Sequence, residues 1–116
     1  MAVRRDFATW PVIGVPVDSV PVTFAGTTSP AIDVAGRLLA GINVPVSFAG
    51  TALTFQNCAD GTNYQPVKDP SSGSAISWTV AANGYYAPST PICGLSSLKL
   101  VSNASETVTV NVCFMP

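Results

Sequence analysis

Proline and glycine restrict this chain more than any other feature. Ten prolines and nine glycines are spread through 116 residues, so few windows could hold three turns of helix. The best helical stretch, Ile32 to Ile42, contains Gly36 and Gly41. The segments between the breakers suit extended chain. Valine and threonine are abundant, and several runs alternate with a period of two.

The clearest run is Thr107 to Phe114. Val108, Val110, Val112 and Phe114 share one face, while Thr107, Thr109, Asn111 and Cys113 share the other, which predicts a half-buried strand. Leu98, Lys99 and Leu100 alternate in the same way. Asn103 to Glu106 supplies turn residues between the two runs, so they read as a hairpin. Further strands are expected at Val20–Phe24, Ala31–Val34, Arg37–Val44, Leu53–Gln56, Tyr64–Val67 and Ile76–Val80. Asp60-Gly61-Thr62-Asn63 reads as a turn, Pro70 to Ser74 as a loop, and Asn83-Gly84 as a turn suited to type I′ geometry. About eight strands with turns every 8 to 12 residues predict a single antiparallel all-β domain, a sandwich or a barrel, over residues 20–116.

Residues 1–19 differ. Trp10-Pro11-Val12-Ile13-Gly14-Val15-Pro16-Val17 is apolar but punctuated by proline, which suits an extended arm or an edge strand. This arm either packs on its own domain or reaches a neighbour. One internal echo is visible: Val20-Pro21-Val22-Thr23-Phe24-Ala25-Gly26-Thr27 is nearly repeated as Val44-Pro45-Val46-Ser47-Phe48-Ala49-Gly50-Thr51. It reads either as a duplicated strand–turn unit or as chance recurrence in a chain rich in valine and proline. Two copies are too few for a repeat architecture.

Charge narrows the function classes. Only 9% of residues are charged against 47% hydrophobic, where soluble domains carry about 25% charged. A net charge of −1 provides no basic stripe for nucleic acid and no polybasic patch for a membrane surface. Apolar stretches are interrupted well before the roughly 20 residues of a membrane-spanning helix. Arg4 and Arg5 precede no leader-like apolar run, because Asp6, Trp10, Pro11 and Pro16 break it; synthesis inside the cell is the expectation. Low charge favours association and points to an obligate interface.

Chemistry has little to work with. The chain has no histidine, so neither a Ser-His-Asp nor a Cys-His arrangement can be built. The six carboxylates, Asp6, Asp18, Asp33, Asp60, Asp69 and Glu106, fall mostly in expected turns or termini. A hydrolytic pair such as Asp60 with Asp69 would have to converge to about 5–9.5 Å across a cleft. Asp60 to Asn63 could ligate calcium but lacks the alternating acids of a calcium loop. Lys68 and Lys99 have no serine at a dyad spacing, and no metal or cofactor is expected.

The three cysteines, Cys58, Cys93 and Cys113, are an odd set with no metal-ligand spacing, and they read as free thiols in a reducing compartment. The alternative is one disulfide. In the hairpin about Asn103–Glu106, paired residues sum to about 209, so Cys113 falls near Ser96 and Cys93–Cys113 is the favoured pair. Trp78 belongs to the core with Ile76 and Val80. Trp10, Tyr85 and Tyr86 are expected as interface anchors or sugar-stacking platforms, with Pro11, Val12 and Ile13 extending the anchor on the arm. For Tyr85-Tyr86, strand alternation places one ring in the core and one on the surface.

The run from Leu53 to Val67 pairs Leu53-Thr54-Phe55-Gln56 with an Asp60-Gly61-Thr62-Asn63-Tyr64 turn, flanked by Gly41-Ile42-Asn43-Val44-Pro45 and Gly94 to Ser102. Over residues 36–114 this resembles small tailed-bacteriophage virion proteins of the capsid decoration or cement type. The resemblance implies a jelly-roll-like β-sandwich that is not an enzyme. It also implies a homo-oligomer, dimer or trimer, made in the host cytoplasm and bound to the major capsid protein on the outer capsid surface. The arm would be a bridging element. The three cysteines and the proline-rich start depart from that pattern. A carbohydrate-binding or adhesive β-sandwich module of a tail or fibre is the second expectation; exposed coplanar aromatics beside Asp60 or Asn63 would mark it.

Overall fold

Val110, Val112 and Phe114 are fully buried and Val108 packs against them, as the alternation from Thr107 to Phe114 requires. Val110, Val112 and Phe114 belong to the last of ten strands among the described residues. The computed structural model describes residues 18–88 and 92–116. These form β1 (Asp18–Thr23), β2 (Gly26–Thr28), β3 (Ile32–Asp33), β4 (Leu38–Val44), β5 (Ala52–Cys58), β6 (Tyr64–Pro66), β7 (Ser77–Thr79), β8 (Gly84–Tyr86), β9 (Ser97–Glu106) and β10 (Thr109–Met115). Every strand pairing is antiparallel, and no helix occurs among the described residues.

The strands make two sheets. One has the order β1-β10-β4-β8. In the other, β9 and β5 lie side by side; β2 and β3 share the far side of β9, and β6 and β7 share the far side of β5. The ten strands therefore fill eight rows. The break between β2 and β3 falls at Ser29-Pro30. There the buried Ser29 N–H donates to the Leu100 carbonyl at 2.8 Å, while Leu100 N–H donates to Ser29 Oγ at 2.9 Å. A side-chain oxygen thus continues the ladder where the backbone turns away.

One hydrophobic core joins the sheets. It takes Val22, Leu39, Ile42, Val110 and Phe114 from the first and Ile32, Leu53, Phe55, Leu98 and Leu100 from the second. Trp78 lies edge-on to Phe55 with centroids 5.0 Å apart, the core position that its strand pattern predicts. In β4 the period of two is broken. Leu39 pairs with Phe114 but Gly41 pairs with Cys113, so Ala40 is an extra residue. This bulge lets Leu39 and Ile42, three apart in sequence, both point into the core.

Four expectations are corrected. Leu98–Leu100 and the final strand do not form a hairpin, because Asn103 to Glu106 is not a turn but the continuation of β9. β9 lies in one sheet and β10 in the other, and Thr107-Val108 crosses between them. The register that brought Cys113 near Ser96 therefore does not exist: Cys113 pairs with Ser19 on one side and Gly41 on the other. Cys58, Cys93 and Cys113 are all free thiols, and no Cys93–Cys113 disulfide forms. Asn83-Gly84 also departs from type I′, since Asn83 has a positive φ of 63° and Gly84 does not. β1 begins at Asp18, so the sheet starts slightly before the expected boundary at Val20.

The echo is where three sheet-to-sheet crossings meet. β1 leads to β2 through Phe24-Ala25, and β4 leads to β5 through residues 45–51. Both links leave the first sheet and enter the second; the β9-to-β10 link runs between them in the reverse sense. Phe24 and Phe48, equivalent in the two copies, are both buried and meet edge-to-face at 6.4 Å. Phe24 N–H donates to the Val108 carbonyl at 2.9 Å, which ties the first crossing to the middle one.

Candidate functional site

The expected interface residues separate. Trp10, Pro11, Val12 and Ile13 lie outside the described residues. Tyr85 and Tyr86 are neighbours on β8 and point opposite ways, as alternation demands. Tyr86 packs against the core, and its hydroxyl accepts the Ala81 N–H at 2.7 Å. Tyr85 is 55% exposed on the outer face of the four-stranded sheet; only Val46, at 74%, stands beside it as an exposed large apolar side chain among the described residues.

That outer face can be read from the register. Its rows are Ser19–Cys113–Gly41, Pro21–Asn111–Asn43–Tyr85, and Thr23–Thr109. None of these side chains is charged. Thr23 and Thr109 join their hydroxyls at 2.8 Å across β1 and β10. At one end of the sheet Arg37 pairs with Asp18 at 3.2 Å. Arg37 also donates to the Val34 and Asp33 carbonyls, each at 2.8 Å, and lies 4.6 Å from the Phe114 ring centroid. Sequence reasoning saw Arg37 only as the start of a strand.

Tyr85 reaches diagonally across β4. Its ring covers Gly41, where an added Cβ would come within 2.6 Å of ring Cζ. Burial of its hydroxyl end, and then the hydrogen bond with Cys113, push the phenol pKa above its ordinary value. Gly41→Ala is expected to cost about 1 kcal/mol in urea denaturation, because the obstacle is the far end of a movable side chain. In a Tyr85→Ala background the cost should nearly vanish. An equal cost in both backgrounds would show that the ring is not the obstacle.

The best-bonded polar cluster was missed. Glu106 is 1% exposed, yet its carboxylate accepts Ala49 N–H at 2.9 Å, Gly50 N–H at 2.8 Å and the Ser102 hydroxyl at 2.8 Å. Asn103 Oδ1 accepts the next two amides, Thr51 at 2.9 Å and Ala52 at 3.3 Å, and its Nδ2 donates to Thr51 Oγ1 at 2.8 Å. Four consecutive amides are held by two side chains. The backbone of Glu106 meanwhile pairs with Gly26. Both Ala-Gly-Thr copies of the echo therefore converge on one residue, a signal that was present in the sequence.

The remaining described carboxylates serve their own turns. Asp33 accepts Ala35 N–H at 3.1 Å, and Asp69 accepts the N–H and hydroxyl of Ser71 at 3.0 and 2.9 Å. Asp60 Oδ1 accepts Thr62 and Asn63 N–H, both at 2.8 Å, and Oδ2 accepts Asn63 Nδ2 at 3.2 Å. The bonds from the Asn63 and Thr62 amides hold the Asp60 pKa down at about 2. A depressed carboxyl supports its turn fully above 3.8 and loses that support as pH falls through about 2. An NMR titration is therefore expected to place the Asp60 midpoint near 2, with the Thr62 and Asn63 amide shifts moving together. A midpoint near 3.8 would mean that the turn is not formed in solution.

Beside this turn lies a groove of about 340 Å³, lined by Asn57, Asp60, Asn63, Gln65, Cys93 and Leu95 among others. Much of its polar capacity is already used, since Asn57 Oδ1 accepts Ser96 N–H at 2.9 Å and Asn63 serves Asp60. No aromatic ring lines it. Tyr64, next in sequence, bonds Ser97 Oγ at 2.6 Å and has the Lys99 ammonium 4.3 Å from its ring centroid. Among the described residues no group of three or more His, Cys, Asp or Glu could hold a metal ion, and no helix is long and apolar enough to cross a membrane. Comparison with known proteins returns no match, whether against family models, curated proteins or solved structures.

Proposed function

We propose that this protein is a non-enzymatic virion structural subunit, a bacteriophage head decoration or cement protein built on a jelly-roll-like sandwich. The observation that carries this reading is the charge-free outer face of the four-stranded sheet, with Tyr85 laid across it. Such a face can be covered by a protein surface without stranding an ion, because burying an unpaired charge costs far more than burying an apolar or amide group. The resemblance over residues 36–114 supplies the partner, the major capsid protein, and the site, the outside of the capsid. The carbohydrate-binding alternative has weaker support, since the groove beside Asp60 and Asn63 offers no ring for a sugar to stack on.

Size-exclusion chromatography with light scattering, followed by co-sedimentation with expanded phage heads, tests the proposal. The expected result is a dimer or trimer whose mass is unchanged by reductant, because all three thiols are free, and saturable binding to heads. Absence of binding to heads together with a positive glycan array would transfer the protein to the alternative class.

A further inference from the structure

The two sheets leave an open side between β1, the edge of one, and residues 30–33, at the edge of the other. A groove of about 260 Å³ lies there. Val22 and Ile32, each 4% exposed, line it from the core side, while Pro30 and Ala31 are exposed at its rim. Its volume is below the roughly 300–1,000 Å³ usual for small-molecule sites. Asp33 is the one ionisable residue in its lining, and its carboxylate is already bonded to Ala35 N–H. The chemistry on offer is therefore the reception of apolar side chains. Pro21 lies on the same edge and lacks an N–H, which disfavours extension of the sheet by a further strand.

We propose that this groove seats the Trp10-Pro11-Val12-Ile13 stretch of a second copy of this chain, so that copies are joined by exchanged arms. The proposal rests on the assembly reading above. Trp10 stands eight residues before Asp18, where the chain enters β1 beside the groove. At about 3.3 Å per residue those eight residues can span roughly 26 Å, enough to reach a copy packed directly against β1. Immediately before β1 stands Val15-Pro16-Val17. Pro16 fixes its own φ and biases Val15 towards extension, so this sequence favours carrying the chain onward from β1 over turning it back along β1. A seat on another copy fits that bias better than the arm's own groove.

Area argues the same way. The four strands of that sheet, of six, seven, three and seven residues, spaced about 4.8 Å apart and rising about 3.3 Å per residue, give the charge-free face roughly 360 Å². A stable interface needs about 800 Å² per partner. β1 borders both the face and the groove, so a seated arm would extend the contact where the face falls short. Trp10 would be the anchor, of the residue type that most often dominates such contacts.

Two full-length variants test this. Trp10→Ala/Ile13→Ala disables the arm and keeps the groove; Ala31→Arg obstructs the groove and keeps the arm. Pro30→Arg, at the other exposed rim position, replaces Ala31→Arg if circular dichroism shows that variant misfolded. Light scattering is expected to show an oligomer for the unaltered chain and a monomer for each variant alone. An equimolar mixture of the two should regain a complex, because one variant lends the groove and the other the arm. A monomeric unaltered chain overturns the proposal, as does an oligomer that survives both variants. Binding to phage heads, measured separately, then shows whether the assembly reading falls with it.

Discussion

Glu106→Ala is expected to lower stability by roughly 3–5 kcal/mol, a large part of the 5–15 kcal/mol typical of a domain. The carboxylate accepts three bonds within 2.9 Å, two of them from backbone amides of the β4-to-β5 crossing. With the side chain removed, Ala49 and Gly50 keep N–H groups that lose their acceptor, each costing about 1–3 kcal/mol where water cannot replace it. The expected fall in Tm is on the order of 15 °C. Glu106→Gln should cost about half as much, since one oxygen remains while the new NH2 faces a donor. Urea denaturation of both variants checks the order Ala worse than Gln. A loss below about 1 kcal/mol for Glu106→Ala would mean that the crossing is held by packing alone.

Gly50→Ala is expected to be nearly as damaging, at about 3 kcal/mol. A methyl group there would press into Ser102 Oγ and stand 2.8 Å from Asn103 Oδ1 and 3.0 Å from Glu106 Oε2. Unlike the exposed Tyr85 ring over Gly41, Ser102 and Glu106 are buried and bonded to each other and to backbone amides, as Asn103 is to Thr51 and Ala52, so these atoms cannot swing away. Gly50 has no positive φ, so the cost is one of space and not of backbone conformation. Because Gly50 and Glu106 share a cluster, the double variant should fall short of the summed single losses by roughly 1 kcal/mol or more. Additive losses in a double-mutant cycle would refute the shared-cluster account.

Much of the fold was legible because half-buried strands leave a period-two signature. Val108 to Phe114, Leu53 with Phe55, and Ile76 with Trp78 all face as their alternation predicts. The failures come where a polar residue points inward. Ser102 and Glu106 look like turn residues by type, yet both are buried in β9: Ser102 bonds the Glu106 carboxylate, and that carboxylate takes amides more than a strand's length away in sequence. Local pattern cannot see a partner 56 residues distant. The same error made a hairpin out of a crossing and then a disulfide out of the hairpin. The bulge at Ala40 escaped for a related reason: only the facing strand reveals an extra residue. Of the candidate surface, alternation separated Tyr85 from Tyr86 correctly, but that Tyr85 lies over Gly41 depended on which strands became neighbours.

The strand order also sets a timetable for synthesis. β9 and β10 occupy the middle of the two sheets, yet they follow all their neighbours along the chain. While a ribosome is still adding residues before Ser97, only the pairings of β5 with β6 and β7, and of β4 with β8, have both partners available. β1, β2 and β3 wait without a template, and the carboxylate that fastens the crossings has not been made. The nascent chain is thus a valine-rich, weakly charged polymer with open strand edges until its last central strands emerge, the condition in which chains aggregate or recruit chaperones. Refolding from denaturant should then be slow and all-or-none, dominated by long-range pairing, with no stable half-domain along the way.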